Sequence, residues 1–451
     1  MIWQNHKKEI NEEPFSVINQ FGKMTEQAGP ELAGLKVKEA REKSVELLRA
    51  NLVKEPEDYK HQVSVCYKCG TTIEPRVMMQ WFIKMTDKTI SGGKSLRDLA
   101  VAAVKSPGRS GKKIKFIPAR FEKIFMHWMK NIHDWNISRQ IVWGIQIPVW
   151  YHEPKCVPKA GREDEIIKCK EIIISTAEPK CEFCDAKFVQ ETDVFDTWFS
   201  SGQWPFATLM TTKPDDFEKY YPTDVMETGW DILFFWVARM MMFGIYRTGK
   251  IPFKTVYLHG LVRDKERQKM SKSKGNVINP LEVAEIYGTD AVRMALIIGT
   301  TAGNDPIISE DKIRGYRNFA NKIWNASRFV LMNYRELNAK PKFTAADKKN
   351  LKNLKAIKKK VTGYLDKHDY NHAAETIYHY FWHTFADKVI EESKPRLKSE
   401  NPSDAAAAQE TLMKILSESM KMLHPFMPFI TEQIYQMLPG KDRGLLMIEE
   451  W

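Results

Sequence analysis

Three lysines, two serines and a Gly-Asn exit fall within the eight residues Lys269-Met270-Ser271-Lys272-Ser273-Lys274-Gly275-Asn276. Such a string makes a polar, cationic loop. Lysine offers a compact point charge to a diffuse polyphosphate, and glycine lets backbone approach a ligand closely. At this level the alternative is a solvated basic loop. Four of the six cysteines form two Cys-x-x-Cys pairs, Cys66/Cys69 and Cys181/Cys184, each half of a tetrahedral zinc site. The stretch from Cys69 to Cys181 is too long for one local site, and His152, Cys156 and Cys169 stand nearer the second pair. His368/His372 and His379/His383 have helical i, i+4 spacing. No glutamate is placed beside them as in a metalloprotease helix, so they read as ordinary polar helix positions.

The elements that must carry these residues change character along the chain. Residues 1–62 hold a strand-like stretch at 17–19, a turn at 20–23 and a helix over about 37–52. Residues 104–115 form a basic Gly/Ser/Pro loop, and 154–192 form a Pro-, Lys- and Cys-rich insertion. From 224 to 308 the runs alternate: helix 229–247, strand 254–262, polar loop 263–278, then helices 280–287 and 289–297. That alternation predicts an α/β unit with parallel strands. Ser309, followed by Glu310 and Asp311, is a helix N-cap with an acidic first turn. Beyond it the amphipathic segments 312–337, 346–367, 369–394, 403–423 and 427–438 predict an all-helical bundle.

Composition bounds the rest. A chain of 451 residues, 43% of them hydrophobic, is long enough for about three domains, and whole-chain disorder is excluded. The most apolar run, 232–246, is interrupted by Arg239 and falls short of the ~18 residues a membrane span needs. The first residues show no secretory signal. Few cysteines without a signal indicate metal binding in a reducing, cytoplasmic setting. Lys and Arg number 69 against 57 Asp and Glu, a net charge of +12, which suits a polyanionic partner such as nucleic acid.

The 269–276 string resembles the KMSKS signature of class I aminoacyl-tRNA synthetases, in the extended form of the valine, isoleucine and leucine subgroup. Residues 131–144, NIHDWNISRQIVWG, resemble a second stretch of that subgroup, with Asn136 where a cysteine is usual and Ile145 where a histidine follows Trp-Gly. Residues 193–205, DVFDTWFSSGQWP, and 229–236, GWDILFFW, are similar to its valine-specific branch. Residues 314–325 and 423–429 are similar to the subgroup's anticodon-binding bundle. The resemblance implies a class I Rossmann-like α/β catalytic domain followed by an all-α anticodon-binding domain. It implies valine–tRNA ligation with ATP and Mg²⁺, and tRNA(Val), valine and ATP as partners. The other readings are an isoleucyl- or leucyl-type synthetase, or a catalytically inactive tRNA-binding fragment.

Site residues follow from the same resemblance. Lys269 and Lys272 are expected to stabilise the departing pyrophosphate. Met270, Ser271 and Ser273, with His259 and Gly260 on the strand before the loop, complete the ATP-facing set. Asp231 is expected near the substrate ammonium, with Trp198, Ile232 and Trp236 as apolar walls. A structural zinc is expected on Cys181, Cys184, His152 and Cys156, with Cys169 as the alternative ligand. The resemblance divides the chain into a remnant of the inserted editing domain (1–62), the second half of the catalytic domain with a zinc-knuckle-like insertion at 150–192 (63–308), and the helical domain (309–451). None of the eleven histidines forms the family's His-x-Gly-His motif. The expectation is therefore a chain inactive alone and completed by an N-terminal half.

Overall fold

The computed structural model describes residues 6, 8–10, 15–49, 62–66, 69–74, 76, 78–90, 93–105, 113–153, 172–180, 187–271, 275–440 and 444–451. It falls into two compact units, Met1–Phe82 with Asn136–Ser138, and Ile83–Trp135 with Arg139–Trp451. In the first unit the strand expected at 17–19 reduces to one bridge, Ile18 to Met24. The intervening turn is closed by Asn19, whose Oδ1 accepts from the N–H groups of Phe21 and Lys23. Helix α1 (Val37–Leu48) lies within the expected 37–52, of which 50–52 fall outside the described residues.

The second unit begins with α2 (Leu96–Lys105), β1 (Lys115–Ile117) and α3 (Arg120–Lys130). A three-stranded antiparallel sheet follows, from β2 (Val149–Glu153), β3 (Ile172–Ile174) and β4 (Lys187–Gln190), with β2 in the centre. It occupies the region read as an insertion. Helices α4 (Thr197–Ser201) and α5 (Trp204–Thr212) lead to β5 (Thr223–Gly229), α6 (Arg239–Thr248) and β6 (Phe253–His259). Strands β1, β6 and β5 pair in that order, all parallel. The central strand buries Phe253, Val256 and Leu258, as expected for a strand covered on both faces.

Two sequence expectations need correction here. The sequence pattern predicts no strand at β1 or β5. β1 is three residues long, and β5 (TDVMETG) exposes the consecutive Asp224 and Val225 as well as Glu227, so neither shows a clear period of two. The helix expected over 229–247 is instead a 3-10 turn at Trp230–Ile232, a π-helical segment at Leu233–Ala238, and then α6. An almost wholly apolar run supports a helix without fixing its pitch.

Helices α7 (Pro280–Tyr287) and α8 (Thr289–Ile297) connect to the bundle. There α9 (Glu310–Met332), α10 (Ala345–Leu365), α11 (Tyr370–His379), α12 (Ile390–Leu397), α13 (Pro402–Leu423) and α14 (Pro428–Gln436) lie close to the expected ranges. Ser309 caps α9, accepting from Lys312 N–H. A π-helical stretch, Tyr380–Val389, joins α11 to α12. One core runs through Phe319, Ile323, Phe381, Phe385, Leu412 and Met420, and it takes in Met294 of α8. Among the described residues no helix is long and apolar enough to cross a membrane.

Candidate active site

Parallel strands end together, and ligands of such sheets bind outside their carboxyl ends. Here β6 ends at His259 in register with Gly229 at the end of β5. The chain leaves β6 through Gly260, where a Cβ would sit 2.1 Å from the carbonyl oxygen of Asn304. Only glycine allows the two backbones to touch. This contact brings Asp305 over the strand ends. Its Oδ1 accepts from the Leu261 N–H at 2.8 Å and from the Trp230 indole at 3.1 Å, and its Oδ2 accepts from Arg263 Nε at 2.5 Å. Burial alone would push the Asp305 carboxyl up. The donors Leu261, Trp230 and Arg263 outweigh that and hold it below the usual range.

His259 and Asp231 lie together at this end of the sheet. His259 Nε2 lies 3.3 Å from Glu227 Oε1. A Cβ at Gly229 would meet Asp231 Oδ1 at 2.8 Å and His259 Cε1 at 3.6 Å, so Asp231 and His259 flank one glycine. The Asp231 side is exposed and Ile232 is half-buried.

The lysine-rich loop is tied at its base. Residues 263 and 269 bridge as antiparallel partners. Met270 N–H donates to Val262 O, and its side chain packs against Val283, Ala291, Ala295, Ile308 and Ile313. Asn276 closes the loop, accepting from the Ser271 N–H at 3.0 Å and donating to Asp264 Oδ2 at 2.8 Å. Lys269 is exposed. Lys272 and Ser273 lie outside the described residues.

The expected apolar walls meet at α4. Trp198 stacks on Phe235, ring centroids 6.0 Å apart. The Trp236 indole donates to Ser201 O at 2.9 Å, so its polar edge pins the end of α4. The other end is pinned by Asp196. This buried carboxylate caps Trp198 N–H and accepts from Trp135 Nε1 and Arg139 Nη2, both at 2.9 Å. Arg239 lies with its guanidinium 3.7 Å from the Trp135 ring centroid. Burial pushes this guanidinium down to about 10, Asp196 opposing and Arg139 reinforcing the shift. Asp196, Arg239 and Asp305 were not singled out in the sequence. Apart from Trp198, two residues from Asp196, these partners stand 42 to 104 positions away in the sequence, and no local spacing reveals that.

The expected zinc set is only partly described. His152 lies on β2, its ring edge-on to Phe188 at 4.2 Å, while Cys156, Cys169, Cys181 and Cys184 lie outside the described residues. Cys66 and Cys69 are free thiols at a tight turn closed by Gly70 N–H to Cys66 O. Among the described residues no group of three or more His, Cys, Asp or Glu side chains could hold a metal ion.

Parallel strand ends, a lysine loop tethered at its base and a following helical bundle fit a class I synthetase catalytic domain joined to a helical anticodon-binding domain. The chain belongs to the class I tRNA synthetases of the I, L, M and V group, whose family model matches residues 8–309; that of the anticodon-binding domain of tRNA ligase matches residues 347–451. It is 45% identical to the valine–tRNA ligase of Symbiobacterium thermophilum over 437 residues, covering 94% of this chain and 44% of that protein. It is 43% identical to the valine–tRNA ligase of Thermotoga maritima over 427 residues, covering 94% and 46%. The chain thus spans about half the length of the curated relatives it matches. In fold it is similar to Mycobacterium tuberculosis methionyl-tRNA synthetase bound by methionyl-adenylate (TM-score 0.58, 21% identity, 82% of this chain and 65% of that one). It is also similar to the LeuRS of Agrobacterium radiobacter K84 in a ternary complex with tRNA and LeuAMS (TM-score 0.55, 20% identity, 74% and 46%).

Proposed function

We propose that these 451 residues form the part of a valine–tRNA ligase that carries the signature loop, one wall of the valine pocket and the tRNA-binding bundle. The observation that carries this is the lysine string at 269–276, held at its base beside the ends of β5 and β6. Valine's carboxylate attacks the α-phosphate of ATP in line, pyrophosphate leaves, and the terminal adenosine of tRNA(Val) then takes the acyl group. No protein nucleophile is needed, so the residues act by positioning and by charge. Lys269 and Lys272 stabilise the leaving pyrophosphate, and the nucleotide brings its own Mg²⁺. Asp231 receives the ammonium of valine, while Trp198 and Ile232 shape the side-chain cup. Trp236 holds α4, on which Trp198 stands. A cup for a small branched side chain rejects threonine only by about 10², the valine enzyme being the standard case, so hydrolytic editing is required elsewhere.

The 451 residues contain no His-x-Gly-His, and we propose that they work with a segment that bears it, in the cytoplasm. A structural zinc on Cys181 and Cys184 with His152 and Cys156 or Cys169 is part of the same reading. Metal analysis of the reduced protein would find about one zinc, lost on Cys181→Ser; zinc lost only on Cys66→Ser would move the site. The function itself is tested by mixing the chain with the separately produced N-terminal half of a relative and assaying ATP–pyrophosphate exchange with valine, isoleucine and leucine. Exchange that needs both parts and prefers valine supports the reading. Preference for isoleucine or leucine would replace the amino acid, and no exchange from a docked pair would leave an inactive RNA-binding fragment.

A further inference from the structure

Helix α4 carries Trp198, yet it is only five residues long and none of them is fully buried. So short a helix does not hold itself in place. On its Phe199 side lies a hollow of about 590 Å³, lined by Phe199, Gln203, Phe206 and Phe243 among others. Packing there leaves room for α4 to shift, as a filled core would not. The position of Trp198 therefore depends on the polar contacts at the ends of α4.

At the start of α4 one carboxylate faces two guanidiniums. Asp196 already accepts from Trp198 N–H, Trp135 Nε1 and Arg139 Nη2. The second guanidinium is that of Arg239, the first residue of α6, with a side chain only 9% exposed. Its Nη1 lies 3.6 Å from Asp196 Oδ2, beyond hydrogen-bond reach, and this buried nitrogen has no hydrogen-bond partner. An unmatched buried polar group costs stability, and an apolar side chain of similar length would escape that cost. Stability alone does not account for an arginine here.

What the guanidinium supplies is a flat cation that stacks on rings. Its Cζ lies 3.7 Å from the Trp135 ring centroid and 5.7 Å from that of Phe235. Trp135 is bonded to the Asp196 cap, and Phe235 is stacked on Trp198. Both contacts of Arg239 thus lead to α4, one through its cap and one through its tryptophan. The end of α4 rests on the same residue, since a Cβ at Gly202 would meet Arg239 Cβ at 3.4 Å.

We infer that Arg239 is a positioning residue for the amino-acid cup: through Asp196, Trp135 and Phe235 it sets where the Trp198 wall stands, and so the largest side chain the cup admits. This rests on the valine–tRNA ligase reading, and it adds a residue behind the wall that governs selection by size. A displaced wall admits a larger side chain but does not separate two of equal size. Threonine and valine are nearly isosteric, whereas isoleucine is larger than valine by one methylene, a difference worth about 10- to 200-fold in an apolar pocket.

The test compares valine, threonine and isoleucine in ATP–pyrophosphate exchange by the chain completed with an N-terminal half. Arg239→Met should lower the preference for valine over isoleucine about tenfold, leaving the valine-to-threonine ratio and the KM for ATP unchanged. Arg239→Lys keeps the charge without the plane. It should fall between the wild type and Arg239→Met, and it serves if the methionine variant does not fold. Ratios do not depend on the folded fraction, so a merely structural role would lower all three rates together and leave both ratios unmoved. That outcome overturns the inference. A wild type that exchanges with none of the three amino acids removes the ligase reading instead. The wall is then followed in the full chain alone, labelled with fluorotryptophan, its Trp198 fluorine resonance assigned by Trp198→Phe. Both arginine variants should shift or split that resonance. A Trp198 resonance unmoved in both overturns the inference, whatever the exchange shows.

Discussion

A methyl group added at Gly260 would lie 2.1 Å from a backbone oxygen, whereas one added at Gly315 in α9 or Gly363 in α10 would meet nothing within 4 Å. The contrast extends through both regions. The sheet end is held by single contacts that cannot be exchanged: one glycine against one carbonyl, one aspartate serving three donors, and one asparagine closing a loop. The bundle is held by many apolar side chains sharing one core. A region built on unique contacts has its geometry fixed where chemistry needs it, and it fails at single positions. A region built on distributed packing tolerates loss at most positions and leaves its surface free to carry charge.

Substitutions sharpen this comparison, beginning with the largest expected cost. Phe385→Ala removes a fully buried ring from the bundle core and should cost about 3–5 kcal/mol in denaturant unfolding. Its effect should spread over the helices that share that core, leaving the Gly260–Asn304 contact in place. Gly260→Ala should cost about 3 kcal/mol, because backbone rather than a flexible side chain must move. That cost should appear in hydrogen exchange of residues 259–271 and 301–308 while the bundle stays protected. Uniform loss of protection across both regions would erase the distinction.

Asp305→Asn comes next, at about 1–3 kcal/mol near neutral pH, since a charged acceptor is replaced while Leu261, Trp230 and Arg263 keep their donors. Its pH dependence has a definite sign. The folded carboxyl is held below its unfolded value, so its contribution is complete above the ordinary carboxylate range and lost as pH falls through the folded pKa. The gap between wild type and variant should be constant above about pH 5 and close on acidification. Asp290, which caps α14 through Ile430 N–H at 2.7 Å, behaves oppositely. Burial raises its carboxyl despite the Ile430 and Phe429 donors. Stability linked to Asp290 therefore declines as pH rises from its unfolded value through the folded one. A gap at Asp305→Asn that widened in acid would contradict the assignment.

The smallest effect is expected at Gly315, exposed in α9 with no neighbour to obstruct a side chain. Gly315→Ala should stabilise the bundle by about 0.5–1 kcal/mol, seen as a raised midpoint of unfolding. Destabilisation there would mean that the bundle, too, depends on unique contacts.

This division explains what could be read from the sequence. The bundle helices were legible because each buries a stripe at helical spacing, Ile313, Ile323 and Val330 on α9 being one example. The 269–276 string stands out in the sequence because its lysines and serines are consecutive residues but for Met270. Strands β1 and β5 do not, since one is three residues long and the other exposes the consecutive Asp224 and Val225. Asp305 and Asp196 escaped for a different reason. Each is defined by donors from distant segments, as Trp135 and Arg139 are for Asp196, and such convergence exists only after folding. The π-helical segments at 233–238 and 380–389 have no sequence signature that separates them from α-helix.

The central claim is that the loop at 269–276 is the charge-stabilising arm of an adenylating site. Single-turnover adenylate formation with Lys269→Ala, in the enzyme completed by an N-terminal half, tests it most directly. Removing one transition-state charge contact should slow valine-dependent adenylation by about 10²–10³ while the KM for valine changes little. A large rise in the KM for valine with an unchanged rate would contradict it, since Lys269 would then bind the amino acid rather than the departing pyrophosphate.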